Sequence, residues 1–96
     1  EPSLSYPPVK RDISFFVGKD VEYAGLVSAI KSVDRLVMHV ELFDRYEGKS
    51  VPEGKNNLAF HITYADPSRT LTAEETERIH ERLTRMLEKQ FGAQIR

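Results

Sequence analysis

Cysteine and tryptophan are absent from the 96 residues. Without cysteine there is no disulfide, no thiolate metal ligand and no cysteine nucleophile, a pattern compatible with a cytosolic protein. No apolar run approaches the ~20 residues that a membrane-spanning helix needs, and no signal-peptide pattern opens the chain. An excess of positive charge is missing too. Fourteen Lys and Arg stand against fifteen Asp and Glu, for a net charge of −1. Strong non-specific nucleic-acid binders are usually basic. Binding driven by counterion release from a broad basic face is therefore not expected, and a weak, local contact made alongside other domains fits better. No Gly-rich phosphate loop, nucleophile motif or paired-carboxylate signature appears, so catalytic residues are not expected. The three histidines, His39, His61 and His80, have no ligand spacing, and no metal site is expected.

What is present suits one soluble domain. A chain of this length builds a single modest core. An apolar share of 40% with 30% charged residues is ordinary for a globular protein. The chain opens Glu1-Pro2 rather than with Met, which reads as a piece excised from a longer protein. Residues 1–8, with Pro2, Pro7 and Pro8, read as an extended lead-in, and residues 9–96 as the domain.

The segment from Val40 to Thr72 organises the rest. Two apolar runs, Leu36 to Tyr46 and Leu58 to Tyr64, flank a loop punctuated by Gly48, Pro52 and Gly54, the signature of antiparallel strands joined by a longer hairpin. Asp66-Pro67 ends the second run, and Thr72-Ala73-Glu74-Glu75 offers a capping box for a helix. Upstream, alternation predicts a strand over Asp12–Val17, with Ile13, Phe15 and Val17 on one face. A helix is predicted from Glu22 to Ser32, with Asp20 as its N-cap and a stripe of Tyr23, Leu26, Val27, Ile30 and Val33. Gly25 inside it suggests a close helix–sheet approach. A second strand places Leu36, Met38, Val40 and Leu42 on one face, and Val37, His39, Glu41 and Phe43 on the other. A second helix runs from Ala73 to Gln90, with Ile79, Leu83, Met86 and Leu87 inward and Glu74–Arg78 and Glu81–Arg85 pairs outward. Gly92 is placed as its αL cap, and Ala93–Arg96 as a final strand.

The order is thus β-α-β-β-α-β. It predicts an α+β, ferredoxin-like sandwich: a four-stranded antiparallel sheet with two helices on one face. Right-handed crossovers make the first and third strands central. The other face then has no element left to cover it. By alternation it carries Ser14 and Phe16, Ala59, His61 and Thr63, with Val37, His39, Glu41 and Phe43 at one side. An aromatic on an open sheet stacks on unpaired bases, and small polar neighbours let bases approach. Phe16 is the strongest stacking candidate, or else it is buried against a neighbouring domain or a loop of its own chain. Phe43 turns inward instead if the strand bulges before Asp44. His39 and His61 can donate to phosphates or base edges, or stand as ordinary exposed histidines. Lys49 and Lys55 in the hairpin, and Lys10 and Arg11 at the start of the first strand, can reach phosphates, or are simply solvated. Asp44, Tyr46, Asp66 and Arg69 are assigned structural roles at turns.

Glu41-Leu42-Phe43-Asp44-Arg45-Tyr46-Glu47-Gly48, Pro52-Glu53-Gly54-Lys55, Leu58-Ala59-Phe60 and Asp66-Pro67-Ser68-Arg69-Thr70-Leu71-Thr72 together resemble one family. So does the opening Tyr6-Pro7-Pro8-Val9-Lys10-Arg11-Asp12-Ile13. The family is the ferredoxin-fold anticodon-binding domain that closes the β-subunit of bacterial phenylalanyl-tRNA synthetase, and the resemblance covers roughly Ser5 to Arg96. It implies a cytoplasmic tRNA-binding module that contacts the anticodon of phenylalanine tRNA. Its partners would be that tRNA, the rest of the β-subunit and the α-subunit of an α₂β₂ parent enzyme. Catalysis with ATP and magnesium would lie elsewhere in the parent, with no cofactor in this domain. The candidate RNA-binding residues are Lys10, Arg11, Ser14, Phe16, His39, Phe43, Lys55, His61 and Thr63. His61 stands where the family's pattern leads one to expect Arg or Lys. An acylphosphatase-like enzyme on the same fold would need an Arg in a Gly-rich loop, which Val17-Gly18-Lys19-Asp20 does not supply. The alternative is a protein-interaction module that docks another domain through the open sheet face.

Overall fold

The structure is a computed structural model that describes residues 6–46 and 50–96, without the side chain of Tyr46. The expectations for residues 1–5, for the Gly48 turn and for Lys49 lie outside the described residues. The element order is β1 (Val9–Gly18), α1 (Tyr23–Lys31), β2 (Val37–Tyr46), β3 (Lys55–Tyr64), α2 (Ala73–Phe91) and β4 (Gln94–Ile95). The four strands form one sheet in the order β2-β3-β1-β4, and every neighbouring pair is antiparallel. The ferredoxin-like plan, with β1 and β3 central, is the one observed.

The β1–β3 ladder is unbroken from Val9↔Tyr64 to Gly18↔Lys55. Antiparallel partners share a face. The pairs Ile13↔Phe60 and Phe15↔Leu58 therefore point together into the helical layer, where Phe15, Phe60, Ile62 and Tyr64 are fully buried. Leu26 and Ile30 of α1 and Ile79, Leu83 and Leu87 of α2 close this core from above. Phe15 and Phe60 lie near-parallel, with ring centroids 5.8 Å apart.

Both central strands are longer than alternation alone suggests. β3 begins at Lys55, three residues before the apolar run, because the Lys55 amide donates to Pro52 O at 3.1 Å and Gly54 takes φ 79°. That tight turn delivers Asn56 and Asn57 straight into the ladder, overriding their poor strand preference.

β2 departs from simple alternation twice. The ladder slips between Val37 and His39 and again between Leu42 and Asp44. A bulge inserts one residue and reverses the facing of what precedes it. Val37, expected on the open face, is thus in the core at 7% exposure, while Met38, expected inside, is 43% exposed. The second bulge carries Phe43, which stays outside at 47% exposure.

α1 starts one residue late, with Glu22 as N-cap and no side-chain cap bond. Asp20 is two residues too early for the role, in the turn closed by the Val21 amide on Gly18 O at 3.1 Å. Nor does Gly25 mark a close approach. It is exposed, and a Cβ there would meet nothing within 4 Å.

α2 is set firmly at both ends. The Glu75 amide donates to Thr72 Oγ1 at 3.1 Å, and Glu75 Oε1 accepts from the Thr72 amide at 3.0 Å, completing the box. Arg69 forks onto both Glu75 oxygens at 2.7 and 2.6 Å and is the leading cause holding that carboxyl down at about 2. Asp66 closes its own turn by accepting from the Ser68 amide and hydroxyl, and these bonds depress its pKa. Gly92 ends the helix in the left-handed region, φ 64°. Glu81 and Arg85 come within 4.0 Å, with no counterpart between Glu74 and Arg78 among the ion pairs of the described residues.

His80 lies on the buried side of α2 at 8% exposure. The Tyr64 hydroxyl and its Nδ1 share a hydrogen bond of 2.8 Å. Burial pushes the Tyr64 pKa up and the His80 pKa down, and Arg11 nearby depresses His80 further. Both shifts favour the uncharged form of the two side chains.

Two expectations follow from this packing. Gly25→Ala should stabilise the domain by about 0.5–1 kcal/mol, read as a higher urea midpoint, since helix propensity improves and no contact opposes it. The His80 pKa in the folded state is below its unfolded value of about 6.5, so the unfolded chain takes up the proton first. Stability should therefore be complete above that pH and fall as pH drops from 6.5 towards 5. His80→Gln should flatten this slope in denaturation midpoints, because Asp66, Glu75 and Glu77 act only at lower pH.

Candidate nucleic-acid interface

Among the described residues, no secondary-structure element lies on the face of the sheet opposite the helices, and the strand registers arrange its side chains in rows. His39, Thr63 and Lys10 form the first row. Glu41, His61 and Asp12 form the second, then Asp44, Ala59 and Ser14 the third. Asn57, Phe16 and Gln94 make the fourth, with Lys55 beyond Asn57 on the same side of β3.

The second row holds an ordered cluster. His61 Nδ1 is 2.6 Å from Asp12 Oδ1, a bond in which the ring nitrogen donates to the carboxylate. The ring of Phe43 lies flat on the His61 imidazole, with centroids 3.8 Å apart and planes within 8°. The bulge in β2 explains this stack, because it swings Phe43 across the neighbouring strand. The imidazole is thereby fixed in plane by Phe43 and in direction by Asp12, and Phe43 still presents aromatic surface to solvent.

The fourth row is ordered differently. Asn57, 2% exposed, accepts at Oδ1 from Ser14 Oγ at 3.3 Å and from Arg96 Nη1 at 3.1 Å. The Arg96 guanidinium centre lies 5.0 Å from the centroid of the Phe16 ring. Phe16 is therefore half-buried beneath an arginine rather than bare.

Eight of the nine residues singled out from sequence share this face: Lys10, Ser14, Phe16, His39, Phe43, Lys55, His61 and Thr63. Arg11 does not. It has the same parity as Ile13, and its Nη1 donates to Glu77 Oε1 of α2 at 2.7 Å on the helical side. Beginning β1 at Asp12 concealed that parity; the strand begins at Val9. Asp12, Asn57 and Arg96 were missed. Alternation back from His61 reaches Asn57 once the strand is started at Lys55. Asp12 falls on the open side by the parity that places Ser14. Arg96 had no signal, since its place depends on β4 pairing Ile95 with Phe15.

Among the described residues, charge on this face is balanced: Asp12, Glu41 and Asp44 against Lys10, Lys55 and Arg96. With Val37 inside and Phe16 beneath Arg96, the described residues present no continuous apolar patch here. Among them, no group of three or more His, Asp or Glu side chains is placed to hold a metal ion. No helix among the described residues is long and apolar enough to cross a membrane.

An open-faced ferredoxin-like sandwich with a polar, aromatic-bearing sheet is the class that this geometry defines. Residues 5–96 match the sequence pattern of one family within it, the ferredoxin-fold anticodon binding domain, and the chain belongs to that family. It is 47% identical over 97 residues to the phenylalanine–tRNA ligase beta subunit of Geobacillus kaustophilus, a match spanning all of this chain and 12% of the relative. The same subunit of Halalkalibacterium halodurans is 41% identical over 97 residues, again spanning all of this chain and 12% of the relative. That of Syntrophotalea carbinolica is 37% identical over 92 residues, 95% of this chain and 11% of the relative. The chain thus spans about an eighth of the length of the curated relatives it matches.

Because Phe43 is 47% exposed and stacks on the His61 ring at the surface, Phe43→Ala should cost less than about 1 kcal/mol of stability. The His61 ring-proton resonances should move downfield as the shielding from the stacked ring is lost. A large drop in melting temperature would instead place Phe43 in the core.

Proposed function

We propose that this domain is the anticodon-binding module of a phenylalanine–tRNA ligase β subunit, recognising the anticodon loop of phenylalanine tRNA through its open sheet face. Family membership supports the module. The observation that carries the face is the exposed Phe43 ring fixed flat on His61, itself tied to Asp12. An ordered aromatic surface bordered by acceptors and a hydroxyl accepts an unstacked base and reads its edge. Stacking of this kind contributes about 1–3 kcal/mol per base.

The role is binding alone. Aminoacylation, with ATP and magnesium, belongs to the parent enzyme, and this domain holds no cofactor. The partners on this reading are the tRNA, the remainder of the β subunit and the α subunit of an α₂β₂ synthetase in the cytoplasm. Near-zero net charge and a face with as many carboxylates as cations favour weak binding by the domain alone, which the parent's other tRNA contacts would supplement.

The test is an NMR titration of the domain with the anticodon stem-loop of phenylalanine tRNA, set against a stem-loop with a changed anticodon. Shifts should cluster on Ser14, Phe16, Phe43, His61 and Thr63 and appear only with the cognate loop. Equal shifts with both loops, or none with either, would overturn the reading and favour a face that docks another protein domain.

A further inference from the structure

Arg96 is the most elaborately held cation on the open face. Its backbone amide donates to Ser14 O at 2.9 Å, clipping the end of β4 to β1. Its Nη1 donates to Oδ1 of Asn57, a side chain almost wholly enclosed and itself held by Ser14. Its guanidinium lies over the Phe16 ring. Backbone, hydrogen bond and ring are among the contacts that fix the position of the group while the residue remains exposed. A planar guanidinium fixed in advance loses less rotamer freedom when it binds, and its fork matches a phosphate.

We infer that Arg96 is a nucleic-acid contact of this domain, with Phe16 and Asn57 serving to hold its guanidinium for a phosphate of the bound strand. The inference rests on the anticodon-binding reading above and adds to it the residue that takes the backbone charge. Two further observations support it. The middle of the face repels phosphate, because Asp12, Glu41 and Asp44 surround His61 there. Positive charge sits instead at the end of the sheet where Arg96 and Lys55 lie. In addition, a cleft of about 370 Å³ runs along the outer edge of β1, lined by Phe43, Asp12, Ser14 and Arg96 together with Ile13, Ile95 and, from α2, His80 and Thr84. It exists because β4 covers only Phe15 and Phe16 of that edge. Its lining joins the stacking surface of Phe43 to the guanidinium, so that one nucleotide can lay its base on the first and its phosphate on the second. On this account Phe16 does not stack on a base; its ring supports the arginine.

The experiment measures the affinity of the cognate stem-loop against salt concentration for the wild type, Arg96→Gln and Arg96→Lys, with thermal melts as a control for folding. Arg96→Gln should weaken binding about tenfold or more. It should also reduce the slope of log K on log salt by about 0.7, the share of one single-strand phosphate contact. Arg96→Lys should keep the wild-type slope but bind several-fold less tightly, because an ammonium neither forks nor lies flat on a ring. A merely structural role for Arg96 would lower melting temperature and leave the slope unchanged. An unchanged slope in a folded Arg96→Gln domain that still prefers the cognate loop would overturn this inference and leave the anticodon reading standing. A wild-type domain that does not distinguish the two loops would overturn both.

Discussion

The ten-residue antiparallel ladder between β1 and β3 is the constraint on which the rest of this structure depends. It joins residues 37 to 55 positions apart in sequence and divides each strand strictly into two sets of side chains. One set, Ile13, Phe15, Val17, Leu58, Phe60, Ile62 and Tyr64, makes the floor of the core. The other set, Asp12, Ser14, Phe16, Asn57, Ala59, His61 and Thr63, makes the centre of the open face. A slip of one residue would exchange the two, burying a histidine and a carboxylate and exposing four large apolar side chains. The core and the candidate interface are thus two sides of a single register, and neither can shift without the other.

The helical side adds its own lock. Tyr64 at the end of β3 meets His80 of α2, and Arg11 at the edge of β1 meets Glu77 one turn earlier on the same helix. These contacts hold α2 against the ends of the two central strands. They also account for an arginine that, by composition alone, belongs with the candidate RNA contacts: its partner is a glutamate on the covered side. The basic residues on the open face are few and placed at its ends, with carboxylates between them. An interface built this way suits local, geometric recognition of a base and a phosphate rather than general attraction to a polyanion.

Much of this was legible in the residues. The capping box at Thr72 and Glu75, the αL glycine at Gly92, the fork of Arg69 and the turn of Asp66 all act within a few residues of chain, so local chemistry specifies them. The parity of Phe15 against Phe16, and of Ile62 against His61, follows from a strand period of two. What failed did so for identifiable reasons. A bulge before Asp44 was open to the sequence reading, but the one at Met38 was not, and Phe43 stayed outside rather than turning inward, since the partner strand decides which residue is the extra one. Asp20 looked like a cap but falls in the preceding turn. Gly25 looked like a packing glycine but faces solvent.

The βαββαβ order, the sidedness of the central strands and the ends of the second helix are written in the residues. Each of these follows from period, turn chemistry and capping, which act over short stretches of chain. Which groups meet on the open face is settled in three dimensions. Phe43 reaches His61, Asp12 binds the same imidazole, and Arg96 comes to rest on Phe16 and Asn57, although these residues are separated by eighteen to eighty positions. Such meetings depend on register, bulges and the pairing of a two-residue final strand, all of which are settled by the packing of the whole sheet against its helices.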